Sequence, residues 1–362
     1  MCLWLKKMRV IEFGSEFDWD SNLPFEVHKG KEYFDICGLQ KYRSGRDALR
    51  AVAKLYQNRT KTVLIPALCC ESMVSPFLMN GYKVVFYKMN PDYTANVDDI
   101  EIKLQPNCLF LYMPYFGIKP IHTSFLKNWK ETFGVICLED RTHNVLCKKS
   151  DRAFIADVTI ASIRKWLALP DGGFLWGNEN FSKDILWEAN FANIRTNAME
   201  KKSLYLLEGG EEIKNSYRNM LQFASELLDE KSNACVISPQ SERILNQIDF
   251  EKLLLHRQTN VKVLKSLLNP AVMQGKIAYI TQKPEESALY FPILVKNRDM
   301  LQKKLAEQKI YCPVIWPIPQ EAQGVCEVAE YTAKHMLALP CDHRYGVKDM
   351  QHIANTLNGL LD

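Results

Sequence analysis

The sequence lacks several features that would each indicate a particular class of protein. No apolar run approaches the roughly 20 residues of a membrane-spanning helix, and the apolar stretch before Lys6 is too short for a secretory signal peptide. Charge of one sign is not in excess, since 46 Lys and Arg face 42 Asp and Glu, for a net charge of +4. Internal repeats and low-complexity tracts are missing too. We therefore expect a soluble protein that binds neither nucleic acid nor a membrane.

Paired cysteine motifs are also missing. The 11 cysteines form no Cys-x-x-Cys motif, and Cys137 lies inside an apolar run, Val135 to Leu138, that is typical of a core strand. This pattern indicates reduced, buried thiols, and hence a cytoplasmic protein. No metal-ligand set is assigned.

Short apolar runs alternate with helical patterns between residues 61 and 177, which predicts repeated βαβ units and an α/β fold. The runs have few polar residues and therefore predict buried parallel strands. The expected strands are 62–66, 83–87, 108–112, 135–138 and 158–162. Helices are expected between them, for example at 72–80 and 123–133, each ending near a glycine.

The length of 362 residues predicts more than one domain. Residues 180–270 are mostly helical in pattern, and strands at 288–295 and 310–315 with a helix at 299–308 predict a small α+β unit at the end. We expect an N-terminal segment at 1–40, a large α/β domain at 41–240 and a small α+β domain at 241–362.

Ser44 and Gly45 form a turn that is followed directly by a helical pattern reaching about Gln57. Free backbone amides at such a helix start can bind a phosphate group. The same residues are also typical of an ordinary N-terminal helix cap, so both interpretations stay open.

Asp140 stands at the carboxyl end of an apolar run, which is the edge where open α/β sheets bind their ligands. A carboxylate there can pair with a protonated pyridine nitrogen and so make the ring an electron sink. A helix cap after the strand is the alternative interpretation. His143, three residues further on, is a candidate for contact with a ring substituent, although a single histidine is often structural.

Lys165 follows the next predicted strand, within Ser162-Ile163-Arg164-Lys165-Trp166. A lysine forms an imine with an aldehyde only when its amine is neutral, and a nearby cation or an apolar setting lowers the amine pKa toward that state. Arg164 and Trp166 would provide both. A single lysine is more often an ordinary solvated residue, but its place after the turn and the strand-end aspartate favours a cofactor-binding role.

The stretch from about Tyr42 to Gly177 resembles the DegT/DnrJ/EryC1/StrS family of sugar aminotransferases. Five motifs carry the resemblance: Ser44-Gly45-Arg46-Asp47-Ala48-Leu49, Val63-Leu64-Ile65-Pro66-Ala67, Asn80-Gly81-Tyr82-Lys83-Val84, Pro114-Tyr115-Phe116-Gly117 and Leu138-Glu139-Asp140-Arg141-Thr142-His143. The resemblance implies a fold-type I pyridoxal-phosphate-dependent transferase, with a mainly parallel seven-stranded sheet, helices on both faces and a small C-terminal α+β domain.

The resemblance also implies pyridoxal 5'-phosphate as cofactor and a role for each motif residue. Lys165 would hold the cofactor as a Schiff base and act as general acid–base catalyst, Asp140 would contact the pyridine nitrogen, and His143 the ring hydroxyl. The other residues expected around the cofactor are Ser44, Gly45, Arg46, Ser162 and Cys70. Arg344 is a candidate for a donor carboxylate, because arginine forms bidentate pairs with carboxylates; a surface salt bridge is its alternative role.

The implied reaction moves an amino group from an amino acid, usually glutamate, to a nucleotide-linked keto sugar for polysaccharide or glycoconjugate biosynthesis. The substrates are small molecules, and the family implies a homodimer with shared active sites.

The sequence departs from the family at three places. Cys70 stands where the family often has an aromatic residue over the cofactor ring. Lys165 follows Ser162 by three positions instead of five, which is closer to the Ser-x-His-Lys of class V aminotransferases and cysteine desulfurases, with Arg164 in the histidine position. The segment from Trp316 to Gln320 resembles a Tyr-Pro-x-Pro-x-His loop but lacks the histidine.

Two alternatives to a sugar aminotransferase therefore stay open. One is another fold-type I enzyme, such as a lyase or desulfurase, which the spacing at Lys165 and the pair Cys69 and Cys70 favour. The other is a non-catalytic fold-type I homologue that serves as a partner or regulator.

Overall fold

The computed structural model describes residues 10–19, 23–25, 33, 34, 36, 38–146, 156–177, 179, 187–230 and 233–361. In these ranges the strands are β1 (Phe13–Gly14), β2 (Gln40–Tyr42), β3 (Thr62–Pro66), β4 (Lys83–Tyr87), β5 (Leu109–Tyr112), β6 (Ile136–Asp140), β7 (Val158–Ala161), β8 (Gly173–Gly177), β9 (Ala278–Tyr279), β10 (Phe291–Leu294), β11 (Ile310–Tyr311) and β12 (Met336–Leu339). The helices are α1 (Gly45–Tyr56), α2 (Glu71–Leu78), α3 (Val97–Lys103), α4 (Thr123–Phe133), α5 (Ala189–Glu208), α6 (Glu211–Glu230), α7 (Pro239–Leu245), α8 (Phe250–Met273), α9 (Arg298–Glu307), α10 (Glu327–His335) and α11 (Val347–Leu361).

A seven-stranded sheet in the order β2-β8-β7-β6-β5-β3-β4 carries the site. Strands β3 to β7 pair in parallel, whereas β8 runs antiparallel to both β7 and β2. All four residues of β5 and of β7 are buried, because helices cover both faces of a parallel sheet. The predicted α/β fold with a mainly parallel seven-stranded sheet is confirmed.

The apolar runs and glycine signals locate most elements of this sheet correctly. Each of the five predicted strands is present within one or two residues of its expected bounds. Helix α4 has the predicted bounds, and Gly134 ends it in the left-handed conformation with φ of 65°. Glycine adopts the left-handed conformation at a lower free-energy cost than other residues, because it has no side chain to clash with the backbone.

The two strands expected near the C-terminus are shorter than predicted. The run 288–295 gives only Phe291–Leu294, because Ala288 has a positive φ of 56° that a strand does not accommodate. The run 310–315 gives only Ile310–Tyr311, and Pro313 after it has no backbone N–H to donate to a ladder. The helix expected at 299–308 is α9, shifted by one residue.

The C-terminal part of the chain has its own three-stranded antiparallel sheet, β9-β10-β12. Helices α8, α9 and α11 pack on it around buried apolar side chains such as Leu264 and Ile353. Strand β1 from the N-terminal end pairs in parallel with β11, and Phe13 is buried in this same cluster. Residues 13 and 14 are thus part of the C-terminal packing unit.

Helices α5 and α6 form a long hairpin joined at Gly209 and Gly210, both with positive φ. One face of α6 borders the site described below. No helix in the described ranges is long and apolar enough to cross a membrane.

Candidate active site

The Ser44 turn starts α1 and lies at the edge of the central sheet. The Ser44 hydroxyl accepts from the Asp47 backbone N–H (3.1 Å) and donates to the Asp47 carboxylate (2.7 Å), so its side chain caps the helix. The first amides of α1, those of Gly45 and Arg46, have no intrahelical acceptor because they belong to the first turn. The cap and the phosphate-binding amides are therefore compatible with each other.

Close backbone contacts hold this turn against β7 and β8. A side chain on Gly45 would place its Cβ 3.1 Å from the Ser162 Cβ, and one on Gly173 would lie 2.2 Å from the Ser44 carbonyl carbon. Because both residues are glycine, the start of α1 approaches Ser162 directly. The Ser162 backbone N–H in turn donates to the Thr142 hydroxyl at 3.0 Å.

Asp140 ends β6 and is buried, with 5% of its surface exposed. Its Oδ1 accepts from the Thr142 backbone N–H at 2.8 Å. Burial raises the pKa of Asp140, opposed by the Thr142 hydrogen bonds and the positive charge of Lys165. No cation among the described residues forms an ion pair with it, so a ligand that carries a protonated nitrogen would supply the missing charge.

His143 is buried, with 1% of its surface exposed, within range of the charge of Lys165. Its Nδ1 accepts from the Phe116 backbone N–H at 3.4 Å, and its ring stacks on Trp316 with centroids 5.2 Å apart. Burial, and then the charge of Lys165, holds the pKa of His143 well below its usual value. The imidazole is therefore neutral at physiological pH.

Lys165 ends a short 3₁₀ helix, Ile163–Lys165, that follows β7. Its Nζ lies 6.0 Å from the centre of the Trp316 ring. The backbone after it is fixed from two sides, because the Trp166 indole donates to the Thr142 carbonyl (2.8 Å) and Arg257 donates to the Trp166 carbonyl (2.6 Å). The lysine is thus presented on a rigid turn.

These residues converge on one small cavity of about 50 Å³. The predicted residues that line it are Ser44, Gly45, Arg46, Cys70, Asp140, Ser162 and Lys165. His143 does not line this cavity; it borders a second, larger cavity of about 1200 Å³. Arg164, Lys165 and Trp316 line both cavities, so these three side chains separate them.

The donor set of the small cavity fits pyridoxal phosphate. Free amides and the Ser162 hydroxyl suit the phosphate, the buried Asp140 suits a ring nitrogen, and Lys165 suits an aldehyde. The space between these groups holds only one or two waters in this conformation. The cofactor ring would extend from these groups toward the larger cavity, which Lys165 and Trp316 also line.

Two further predicted residues have partners of their own. Arg46 forms an ion pair with Asp229, and the Cys70 thiol lies 2.9 Å from the Ser72 hydroxyl. Cys70 lines the small cavity but provides no aromatic ring to stack on a cofactor. The aromatic side chain of the small cavity is Trp316, which the sequence placed only in a loop of altered pattern.

Arg344 borders the large cavity and not the small one. Its guanidinium forms a bidentate pair with Asp342 at 2.8 and 2.9 Å and also donates to the Glu16 and Ser15 carbonyls. These contacts occupy the guanidinium N–H donors that would bind the carboxylate of an amino acid donor. Its role toward a carboxylate stays a prediction.

Sequence patterns did not indicate the supporting residues Thr142, Arg257 and Trp316. Thr142 lies inside the Asp140 motif, and its role follows only from the way the chain turns after β6. Arg257 and Trp316 come from distant parts of the chain, and no spacing relates them to Lys165.

Comparison with known proteins bears on the family resemblance and on the fold. Residues 240–358 match the sequence profile of the DegT/DnrJ/EryC1/StrS aminotransferase family. This match confirms the resemblance from a part of the chain separate from residues 42–177. No curated protein sequence matches the chain.

Solved structures share the whole fold. A putative sugar aminotransferase, Spr1654 from Streptococcus pneumoniae in its PLP form, aligns over 98% of both chains with a TM-score of 0.65 and 14% identity. PseC from Helicobacter pylori, an aminotransferase involved in the biosynthesis of pseudoaminic acid, aligns over 97% of this chain and 99% of its own with a TM-score of 0.64 and 14% identity. A DegT DnrJ EryC1 StrS aminotransferase from Brucella abortus aligns over 92% and 89% with a TM-score of 0.59 and 18% identity. The predicted fold-type I aminotransferase architecture is confirmed.

Proposed function

We propose that this chain is a pyridoxal-phosphate-dependent sugar aminotransferase. It transfers an amino group from an amino acid, with glutamate as the proposed donor, to a nucleotide-linked keto sugar. The observation that carries the proposal is the convergence of the Ser44 turn, Asp140 and Lys165 on one cavity. The family match of residues 240–358 and the shared fold support it.

In this proposal each residue of the small cavity has a defined task. When bound, pyridoxal phosphate supplies an electron sink for the substrate carbon next to the reacting nitrogen. Asp140 would accept a hydrogen bond from the protonated ring nitrogen, which its buried carboxylate favours because no cation among the described residues forms an ion pair with it. Lys165 Nζ would hold the cofactor and, when free, would take up and return the proton at the substrate α-carbon.

Trp316 lies between the small and the large cavity, and His143 stacks on it with ring centres 5.2 Å apart. The Trp316 ring forms an apolar wall beside Lys165, whose Nζ lies 6.0 Å from the ring centre. Such a wall limits the access of water to the reacting carbon. The pKa of His143 is well below its usual value, and its Nδ1 accepts from the Phe116 N–H, so the Nε2–H of the neutral ring would be free to donate to a ring substituent.

The large cavity suits a polar, anionic acceptor. One face of α6 contributes Lys214, Asn215, Arg218, Asn219 and Gln222 to its lining, and α9 contributes Gln302 and Lys303 from another side. Amides bind sugar hydroxyls, and the cations favour phosphate groups. This lining supports a nucleotide-linked sugar as acceptor. The family implies, in addition, an active site shared with a second subunit.

The first test is an absorption spectrum of the protein purified with added pyridoxal phosphate. We expect the wild type to absorb near the visible region through its lysine-bound cofactor, and Lys165→Ala to lose this band and at least about 10²- to 10⁴-fold of transamination. Lys348→Ala, an exposed lysine on α11, is the matched control and should keep the band. A colourless wild type would favour the non-catalytic homologue.

The second test separates transamination from other fold-type I reactions. Glutamate alone should bleach the band of the wild type and release 2-oxoglutarate in a single turnover. Sulfide or alanine release from cysteine, without a response to glutamate, would instead favour a desulfurase or lyase.

A further inference from the structure

Arg164 has an unusual setting for an arginine next to the proposed catalytic lysine. Its Nε is buried without a hydrogen-bond partner, and its guanidinium forms no ion pair with any of the described residues. It lines the small cavity together with the Ser44 turn and Ser162, and it also reaches the large cavity. Leaving a buried donor unpaired costs about 1–3 kcal/mol, so its partner is expected to be a ligand.

The charged groups around Arg164 have direct partners other than Arg164. Arg195 pairs with Glu16 at 3.1 Å, and Arg46 pairs with Asp229. Asp171, also nearby, is buried and accepts from Ser238 and Ser241. Burial, followed by the repulsion from Arg195, lowers the pKa of Arg164 to about 10, so it stays charged at neutral pH. Glu16 and Asp171 act on Arg164 only through longer-range attraction, so its guanidinium has no ion pair among the described residues.

We propose that Arg164 binds the phosphate of the cofactor, together with the Gly45 and Arg46 amides and the Ser162 hydroxyl. This inference rests on the proposed function. It assigns Arg164, and not Arg46, as the phosphate cation, because the Arg46 side chain is paired with Asp229.

The position of Arg164 favours the phosphate over a donor carboxylate. Ser162 lies two residues before Arg164. Gly45 packs against Ser162 so closely that a Cβ added to Gly45 would lie 3.1 Å from the Ser162 Cβ. The turn amides and the hydroxyl provide hydrogen bonds but no full charge for a dianion. A planar guanidinium provides both the charge and a fork of donors.

The test compares the dissociation constants of pyridoxal phosphate and of pyridoxal, which lacks the phosphate, by absorbance titration of cofactor-free protein. Arg164→Gln is expected to weaken pyridoxal phosphate about 10- to 100-fold while leaving pyridoxal unchanged. Arg164→Lys should recover part of the loss, because it restores the charge without the fork. Lys348→Gln, which removes one positive charge from an exposed position on α11 that lines neither cavity, should leave both constants unchanged.

Thermal unfolding of the cofactor-free variants excludes a merely structural cause. Because Arg164 has no protein partner to lose, Arg164→Gln should unfold at the same temperature as the wild type or higher. Equal affinities of wild type and Arg164→Gln for pyridoxal phosphate would overturn the inference, as would unchanged cofactor affinity with weakened glutamate binding, which would assign Arg164 to the donor carboxylate. A wild type that binds neither compound would contradict the proposed function as well.

Discussion

At the residue scale, the site depends on the carboxylate of Asp140, which is buried before any cofactor nitrogen is there to pair with it. Asp140 accepts from Thr142 but pairs with no cation in the described part of the chain. Folding the cofactor-free protein therefore includes the cost of removing this charge from water. Binding a protonated ring nitrogen would return that free energy as cofactor affinity.

Asp140→Asn tests this balance, since the amide oxygen can still accept from Thr142. The pKa of Asp140 is raised above its ordinary value of 3.8 by burial, so its ionisation destabilises the folded state as the pH rises through the folded value. We expect cofactor-free Asp140→Asn to be more stable than the wild type at pH 7, with a difference that shrinks toward pH 4. Urea unfolding at several pH values measures this.

Added pyridoxal phosphate should make the wild type more stable than Asp140→Asn. The variant offers no charge to the ring nitrogen, and its pyridoxal phosphate dissociation constant should rise about 10-fold or more. A variant that is less stable at pH 7 and binds the cofactor normally would contradict this role for Asp140.

The sequence allowed the position of a candidate site residue to be predicted where that residue follows directly on a strand. Asp140 and Lys165 each follow an apolar run, and the carboxyl ends of neighbouring parallel strands β6 and β7 meet at one edge. The aromatic wall was not predictable. Cys70 occupies the expected place, and Trp316 reaches the cavity from a loop that no local pattern relates to Lys165.

At the element scale, the phosphate turn depends on how closely α1 approaches β8. Strand β2 pairs antiparallel with β8, and Tyr42 faces Gly173 in the register. The turn that follows β2 then crosses directly over Gly173, whose missing side chain leaves room for the Ser44 carbonyl. The sequence predicted the turn and the apolar strand, but not that they touch, since the contact joins residues far apart in the chain.

Gly173→Ala should displace the start of α1. The new Cβ would lie 2.2 Å from the Ser44 carbonyl carbon and 2.6 Å from the Gly45 nitrogen, both backbone atoms that cannot rotate away. We expect a loss of roughly 1–3 kcal/mol in the free energy of unfolding and weaker pyridoxal phosphate binding. Gly359→Ala in α11, where a Cβ meets nothing within 4 Å, is the control and should gain about 0.5–1 kcal/mol. Equal stability changes in the two variants would show that the close approach does not matter.

At the scale of the whole molecule, the large cavity is assembled from segments that are remote in sequence. Residues 14–17 follow β1, the face from Lys214 to Gln222 belongs to α6, and residues 311–316 follow β11. The pairing of β1 with β11 and the buried Lys202 to Glu12 ion pair hold the N-terminal segment in place. Composition, balanced at a net charge of +4, gave no sign of this local basic lining, because the cations gather only when the chain folds.

The basic lining predicts how the acceptor site responds to salt. Lys214 and Arg218 lie four residues apart on one face of α6, and both border the cavity. Binding of a nucleoside diphosphate, with uridine diphosphate as the probe, should weaken as ionic strength rises, since screening shortens the reach of these charges to about 10 Å at 0.1 M. Lys214→Gln or Arg218→Gln should each raise the dissociation constant about two- to five-fold at low salt and flatten its salt dependence, as measured by calorimetry.

Lys348→Gln removes the same charge from exposed α11 outside the cavity and should change neither quantity. If the two cavity variants bind uridine diphosphate as the wild type does, with the same salt dependence, the cations of α6 do not face the acceptor phosphates. The nucleotide-linked acceptor would then lose its physical support, while the cofactor site at Lys165 would stand on its own evidence, because Asp140 and the Ser44 turn lie on the other side of Trp316.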